Sequence, residues 1–329
     1  MKKRHTMLMV WTIFLTLALL PSMAFSWGSA THAYINDHLN KKPGLKKELN
    51  MNEIYGGMAP DIFNYIFKHP AYMGYLYYQT HNEFLKVWDE AKSRQKKALA
   101  YGFVSHNDVW GADFTAHHSG RTFGQDEGYI IAKAHLLKAN LEQVPGYNML
   151  QLPDDITLEI CHTLVETGAD ILVKKMDGSI GQKMITSAIL RNPKPLSALK
   201  KVYDKEFSDL LLEAYGKEFS EYAGISHREV AKLFTSADRE FRKTIILYGQ
   251  ALMQDETIAI QLISEQMTEL AKSYLAVYGI TLPEGVDLTP LIKFAIEQSM
   301  EICADDFEKE IAATITFVNQ QLTSHEISY

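Results

Sequence analysis

Cysteine is nearly absent: Cys161 and Cys303 are the only two in 329 residues. A chain of this length is not held by a disulfide framework of that size, and neither residue belongs to a Cys-x-x-Cys pair. Both fall in apolar helical patterns, where buried free thiols are expected. Alternating polar–apolar runs bounded by turn residues are scarce as well, which leaves an all-α class. There is no internal repeat, no low-complexity tract and no glycine-rich phosphate loop. Positive charge is in deficit: 33 Lys and Arg stand against 40 Asp and Glu, a formal net charge of −7. That balance argues against a polyanion-binding surface and against tight binding to anionic lipid through a basic patch. No basic stripe interleaved with aromatics is present, so no stable nucleic-acid partner is expected. What remains is ordinary globular chemistry, 47% apolar and 22% charged, in a chain long enough for one large domain or two modest ones.

The first 26 residues read as a signal peptide. Lys2, Lys3 and Arg4 form a basic head, and residues 7–20 are a continuous apolar stretch that Pro21 ends. That stretch is too short for an ordinary spanning helix. Ala24 and Ser26 supply the small residues of a cleavage site, so cleavage between Ser26 and Trp27 is expected, with a secreted or periplasmic destination. Processing removes three basic and no acidic residues, shifting the formal charge from −7 to −10.

Beyond Trp27, apolar residues recur at three- and four-residue spacing over 29–40, 72–88, 94–118, 127–143, 155–174, 195–216, 226–249, 252–279 and 288–322. Asn192-Pro193-Lys194-Pro195 is the best candidate boundary. It divides a 27–192 region holding nearly all the histidines from a 193–329 helical region of unreadable role.

The histidines and carboxylates of the first region share helix faces. At 100° per residue, His106, Asp113 and His117 lie within about 20° of one direction on a single helix over this segment. His162 and Glu166 form an i, i+4 pair, again on one face. His32, Asp61 and His81 lie upstream among aromatic and small residues. Neutral imidazole and carboxylate are zinc-type donors, and two helices supplying them inward is how a helical protein builds a metal site in its core. Taken alone, a His-x-x-x-Glu is more often a surface pair, but the sets together favour a polynuclear metal site. His69, His118 and His135 are read as structural, and Glu159, Asp170 and Asn107 as supports around the site.

Trp27-Gly-Ser-Ala-Thr-His32 after a cleavage site resembles the mature N-termini of the zinc-dependent phospholipase C superfamily. That superfamily includes the glycosylphosphatidylinositol-specific phospholipase D enzymes, and is related to the single-strand-specific zinc nucleases. The order of motifs over about residues 27–170 is similar too: terminal Trp, His, Asp, His, His, Asp, His, then His-x-x-x-Glu. The resemblance implies a multi-helix phospholipase C/nuclease-like fold with extra C-terminal helices, and three Zn2+ ions. Asp61, His81 and His106 would hold the first, with Asp113 bridging to a second completed by His32 and the amine and carbonyl of Trp27. His117, His162 and Glu166 would hold the third. Asp61 would also orient or deprotonate the attacking water. One departure stands out: the family's His-x-x-x-Asp is here His106-x-x-x-x-x-x-Asp113, three residues longer, which adds about 4.5 Å of helical rise. A local bulge near Gly111 would absorb it. Asp108 competes as the bridging ligand, although at i+2 it points about 160° from His106.

Clustered zinc suits phosphoester hydrolysis by metal-activated water. The implied function is a secreted phosphoric diester hydrolase, a phospholipase C acting on phospholipid headgroups with transient membrane-surface contact. The alternatives are phospholipase D-type or single-strand nuclease activity at the same centre, or a non-catalytic zinc-stabilised helical protein. Tyr72, Tyr75, Tyr77 and Tyr78 are available to face a choline cation, although such a stripe is more often core.

Overall fold

In the computed structural model the described residues are 27–39, 47–66, 69–122, 127–144, 153–189, 203–277 and 287–329. They are all-helical, with no strand among them. The expected signal peptide, the Asn192–Pro195 boundary and the start of the expected 195–216 helix lie outside these residues. None of the described helices is long and apolar enough to cross a membrane.

The elements in chain order are α1 (Ser29–His38), α2 (Lys47–Met58), a 3-10 helix (Ala59–Tyr65), α3 (Pro70–His81), α4 (Leu85–Glu90), α5 (Arg94–His106), α6 (Ala112–His117), α7 (Tyr129–Leu141) and α8 (Asp154–Met176). After these come α9 (Ile180–Ile189), α10 (Tyr203–Ala223), α11 (His227–Leu252), α12 (Glu256–Val277), α13 (Thr289–Cys303) and α14 (Phe307–Ser324). Helical periodicity located most of them. It did not separate α3 from α4 or α13 from α14, and it passed over α2, the 3-10 helix and α9.

Local chemistry explains several boundaries. Ser226 and Glu229 close a capping box at the start of α11. From there Val230, Phe234, Ala237, Phe241 and Ile245 place an apolar stripe against the core. Helix α8 carries Asp154 and Asp155 in its first turn and Lys174 and Lys175 in its last, matching the sign of its dipole at each end. Cys161 and Cys303 are buried thiols outside any disulfide, on α8 and α13.

The closest approach is between α2 and α5. A Cβ on Gly102 would lie 2.0 Å from the Glu53 carbonyl oxygen, and one on Gly56 would lie 2.1 Å from that of Leu99. Hydrogen at both positions lets the two backbones touch, which carries His106, at the end of α5, against Gly57. Around this pair pack α1, α4, α9 and α10, and α8 joins them through α1 and α9.

The C-terminal helices are built into the same core. Helix α13 packs on α7 and α8, and α14 packs on α1 and α6. Phe307 meets the Trp27 ring edge-on at 6.1 Å, and Asp306 accepts from both the Tyr129 hydroxyl (2.6 Å) and Lys133 Nζ (2.7 Å). His325 stacks on Trp110 at 4.7 Å.

Candidate metal centre

The segment 94–118 is two helices, not one. Asn107 ends α5: its Oδ1 accepts from the backbone nitrogens of Val109, Trp110 and Gly111 at 2.9, 2.8 and 3.2 Å, while its Nδ2 donates to the Val104 carbonyl at 2.7 Å. A short polar side chain that satisfies three backbone donors offers an alternative to the helical ladder. The turn is so tight that a Cβ on Gly111 would lie 2.5 Å from the His106 carbonyl oxygen. The chain restarts as α6 at Ala112. The expected bulge in a continuous helix is therefore a full break, and it absorbs the three extra residues between His106 and Asp113. Asn107 forms this turn and points to no donor group.

The break returns Asp113 to His106. His106 Nε2 lies 2.9 Å from Asp113 Oδ2, and His32 Nε2 lies 3.0 Å from Asp113 Oδ1. His81 Nε2 is 3.5 Å from Asp113 Oδ2 and 3.6 Å from Asp61 Oδ1. His106 Nε2 is 3.2 Å from His81 Nε2 and 3.9 Å from Asp61 Oδ2. His32, His81, His106 and Asp113 are fully buried. Two donor groups result, His32–His106–Asp113 and Asp61–His81–His106, each able to hold a metal ion. They share His106, and Asp113 spans both.

The imidazoles are aimed by their outer nitrogens. His106 Nδ1 is 2.7 Å from the Gly57 carbonyl, and His81 Nδ1 is 2.8 Å from Thr80 Oγ1 and 3.1 Å from the Tyr77 carbonyl. An Nδ1–H given to a carbonyl leaves Nε2 to face the cluster. Asp61, in the 3-10 helix behind Pro60, accepts from Asn64 Nδ2 at 3.1 Å.

The third group is His117, His162 and Glu166. His162 Nε2 and Glu166 Oε1 are 3.1 Å apart, one turn apart on α8, yet neither atom has a hydrogen-bond partner. Two buried polar atoms that converge without a hydrogen bond between them suit a cation. Asp108 is not directed at the Asp113 position. Its Oδ1 lies 3.1 Å from His117 Nδ1 and 3.1 Å from His118 Nε2, so it orients His117 as a carboxylate–imidazole pair.

The electrostatics follow from burial and crowding. Burial opposes charge on His106, but Asp113 and Asp61 outweigh it and push its pKa up to about 9. Burial and the neighbouring His106 press His32 down to about 4. Burial works against the Asp113 carboxylate too, but His106 and His32 hold its pKa well below the usual range. In the third group burial holds His162 well below the usual value for histidine and Glu166 well above that for a carboxylate, the latter reinforced by Asp61 and Glu159. Glu159, raised by burial to about 7, stands near His117.

The remaining expected residues fall into place around the centre. Trp27 is buried; its indole Nε1 donates to the Ala112 carbonyl and to Thr115 Oγ1, both at 3.0 Å, and its ring stacks on Tyr129 at 5.5 Å. Its side chain is thus an anchor beneath α6. Asp170 caps the first turn of α1, accepting from Ala30 N (3.0 Å), Thr31 N (2.7 Å) and Thr31 Oγ1 (2.8 Å). His69 and His135 are exposed, His69 stacking on Tyr72 and His135 3.4 Å from Glu127. The four tyrosines do not form a cation cage: Tyr72 and Tyr75 pack on Phe219 and Tyr222 of α10, and Tyr78 is half exposed.

Sequence reasoning missed what the C-terminal region contributes here. Glu310 of α14, fully buried, accepts from the backbone nitrogens of Arg121 (2.5 Å) and Thr122 (2.6 Å), pinning the loop after α6. Thr314 donates to Thr115 at 3.0 Å. No local pattern announces such partners, which lie 199 residues apart in the second case. No protein-family model, no curated protein and no solved structure matches this chain.

Proposed function

We propose that this protein is a secreted zinc-dependent phosphodiester hydrolase of the phospholipase C type. The observation that carries the reading is Asp113: one buried carboxylate within 3.0 Å of two imidazoles from different helices and 3.5 Å from His81 of the second donor group. The donors fit zinc in kind, being imidazole nitrogen and carboxylate oxygen with no thiolate. Asp61, His81 and His106 would hold one ion and His117, His162 and Glu166 another. Asp113 and His32 would hold the remaining one together with the amine and carbonyl of Trp27, once processing frees that amine. Bound dications supply Lewis-acid stabilisation of charge on phosphoryl and leaving oxygens and make water more acidic.

The chain's own residues supply the rest. Asp61, less enclosed than Asp113 with a side chain 14% exposed, would orient water and accept its proton. Asp108 holds the ring of His117, and the Gly57 and Tyr77 carbonyls hold those of His106 and His81. The acidic balance of the chain disfavours a single-stranded nucleic acid as substrate.

The test is metal analysis of the exported protein with hydrolysis assays on phosphatidylcholine, a soluble phosphodiester and single-stranded DNA. Up to three zinc ions per chain and turnover of phosphatidylcholine are expected. Turnover of DNA alone would make the protein a nuclease. Full zinc occupancy with no turnover of any substrate would leave a zinc-stabilised helical protein, and a preparation that binds no zinc would end the metal reading.

A further inference from the structure

Tyr77 stands against His81 with its hydroxyl uncommitted. Its ring lies on the His81 imidazole, with centroids 3.9 Å apart and planes 18° apart. Its backbone carbonyl receives His81 Nδ1 at 3.1 Å and Thr80 Oγ1 at 3.1 Å. The ring is therefore held at both ends of the residue, and its position is tied to that of His81. The hydroxyl is buried and has no hydrogen-bond partner among the described residues. A buried hydroxyl left unpaired is destabilising, so such a group calls for a partner. The protonated phenol is the ordinary form of tyrosine. The centre holds four carboxylates, Asp61, Asp108, Asp113 and Glu166, and the hydroxyl is a neutral donor bonded to none of them.

Resting on the phosphodiesterase reading, we propose that Tyr77 donates its hydroxyl proton in a hydrogen bond to a non-bridging oxygen of the substrate phosphoryl group beside His81. A tetrahedral anion between clustered cations presents acceptor oxygens on every side, and a phenol fixed by stacking meets one of them without reorganisation. A lysine here would compete with metal cations for the four carboxylates. A neutral donor does not.

The experiment uses the full zinc-loaded protein and Tyr77→Phe, which keeps the ring and its stack on His81. Bound zinc is counted, inorganic phosphate binding is followed by calorimetry, and hydrolysis of a soluble phosphodiester is measured. Phosphate binding weaker by about tenfold or more is expected, since the lost bond runs to a charged acceptor. A comparable fall in kcat/KM and unchanged zinc content should accompany it. Equal phosphate affinity in the two proteins overturns the role of Tyr77 and leaves the hydrolase reading standing. Loss of a zinc equivalent in the variant overturns it too, because the phenol would then be part of the metal site. A wild-type protein that holds zinc but neither binds phosphate nor turns over a phosphodiester refutes the hydrolase reading itself, and Tyr77's role with it. Should Tyr77→Phe fold poorly, 3-fluorotyrosine at position 77 reports directly: its 19F resonance shifts on saturation with phosphate, and a resonance that does not move overturns the proposal.

Discussion

Replacing Asp170 by alanine should loosen the first turn of α1 and the donor group that contains His32. Asp170 is 1% exposed. It accepts from Ala30 N, Thr31 N and Thr31 Oγ1 at 3.0, 2.7 and 2.8 Å and also from the Tyr248 hydroxyl. Its carboxylate lies against Gly28, where a Cβ would come within 2.6 Å of it. Truncation strands several buried donors at about 1–3 kcal/mol each. Because water can enter the vacated space, the low end applies, and a loss of about 3 kcal/mol at pH 7 is expected. The pH dependence has a definite sign. Burial raises the pKa of Asp170 from 3.8 to about 6, although its hydrogen bonds oppose the rise. Its contribution is therefore complete below 3.8 and falls as pH climbs through 6. That interval corresponds to a change on the order of 3 kcal/mol. The gap between wild type and Asp170→Ala should accordingly widen from pH 7 to pH 4. Urea unfolding at both pH values measures it, with the denaturant slope as a check that the same surface is exposed. A gap under about 0.5 kcal/mol at pH 7, within the range of ordinary surface substitutions, or one that narrows on acidification would refute the argument.

Asp108→Asn should weaken metal binding at the His117–His162–Glu166 group by about 10–100-fold, the usual effect of removing an outer carboxylate. Competition with a chelator measures it, and unchanged affinity would show that Asp108 does not orient His117. Gly102→Ala should cost about 3 kcal/mol or more by overpacking, since its Cβ would meet the Glu53 carbonyl oxygen at 2.0 Å and Gly57 N at 2.7 Å. Thermal unfolding would show it, and a variant as stable as wild type would mean that α2 and α5 can separate freely. Zinc uptake by the third group should be tighter at pH 8 than at pH 6. Burial raises the Glu166 carboxyl well above its usual pKa, so acid keeps a proton where the cation binds, and uptake releases it. Calorimetry in two buffers of different ionisation enthalpy would detect that proton, and pH-independent binding would contradict the assignment.

Where a feature depends on near neighbours in the chain, it was legible beforehand. The helical class follows from three- and four-residue spacing, and the His162–Glu166 pair from being one turn apart. The convergence of His32, Asp61, His81 and His106 was legible only as an ordered set of residue types, since nothing in the spacing between 32 and 106 fixes a distance. The 94–118 segment was misread because its periodicity runs across Asn107 unbroken. The side chain that stops α5 acts through three hydrogen bonds to backbone, and composition does not display them.

Sequence alone determined the helical class, the supply of imidazole and carboxylate on shared faces, the acidic balance, and the place of Trp27 directly after an expected cleavage site. Tertiary structure decided which carboxylate does what: Asp113 returns to His106 because Asn107 and Gly111 fold the chain back, and that same turn sends Asp108 to His117. It also decided the work of the C-terminal helices, which grip Trp27 through Phe307 and the loop after α6 through Glu310. The physical reason is range. Periodicity records which face of a helix is buried, whereas the partner met on that face is set by packing between segments far apart in the chain.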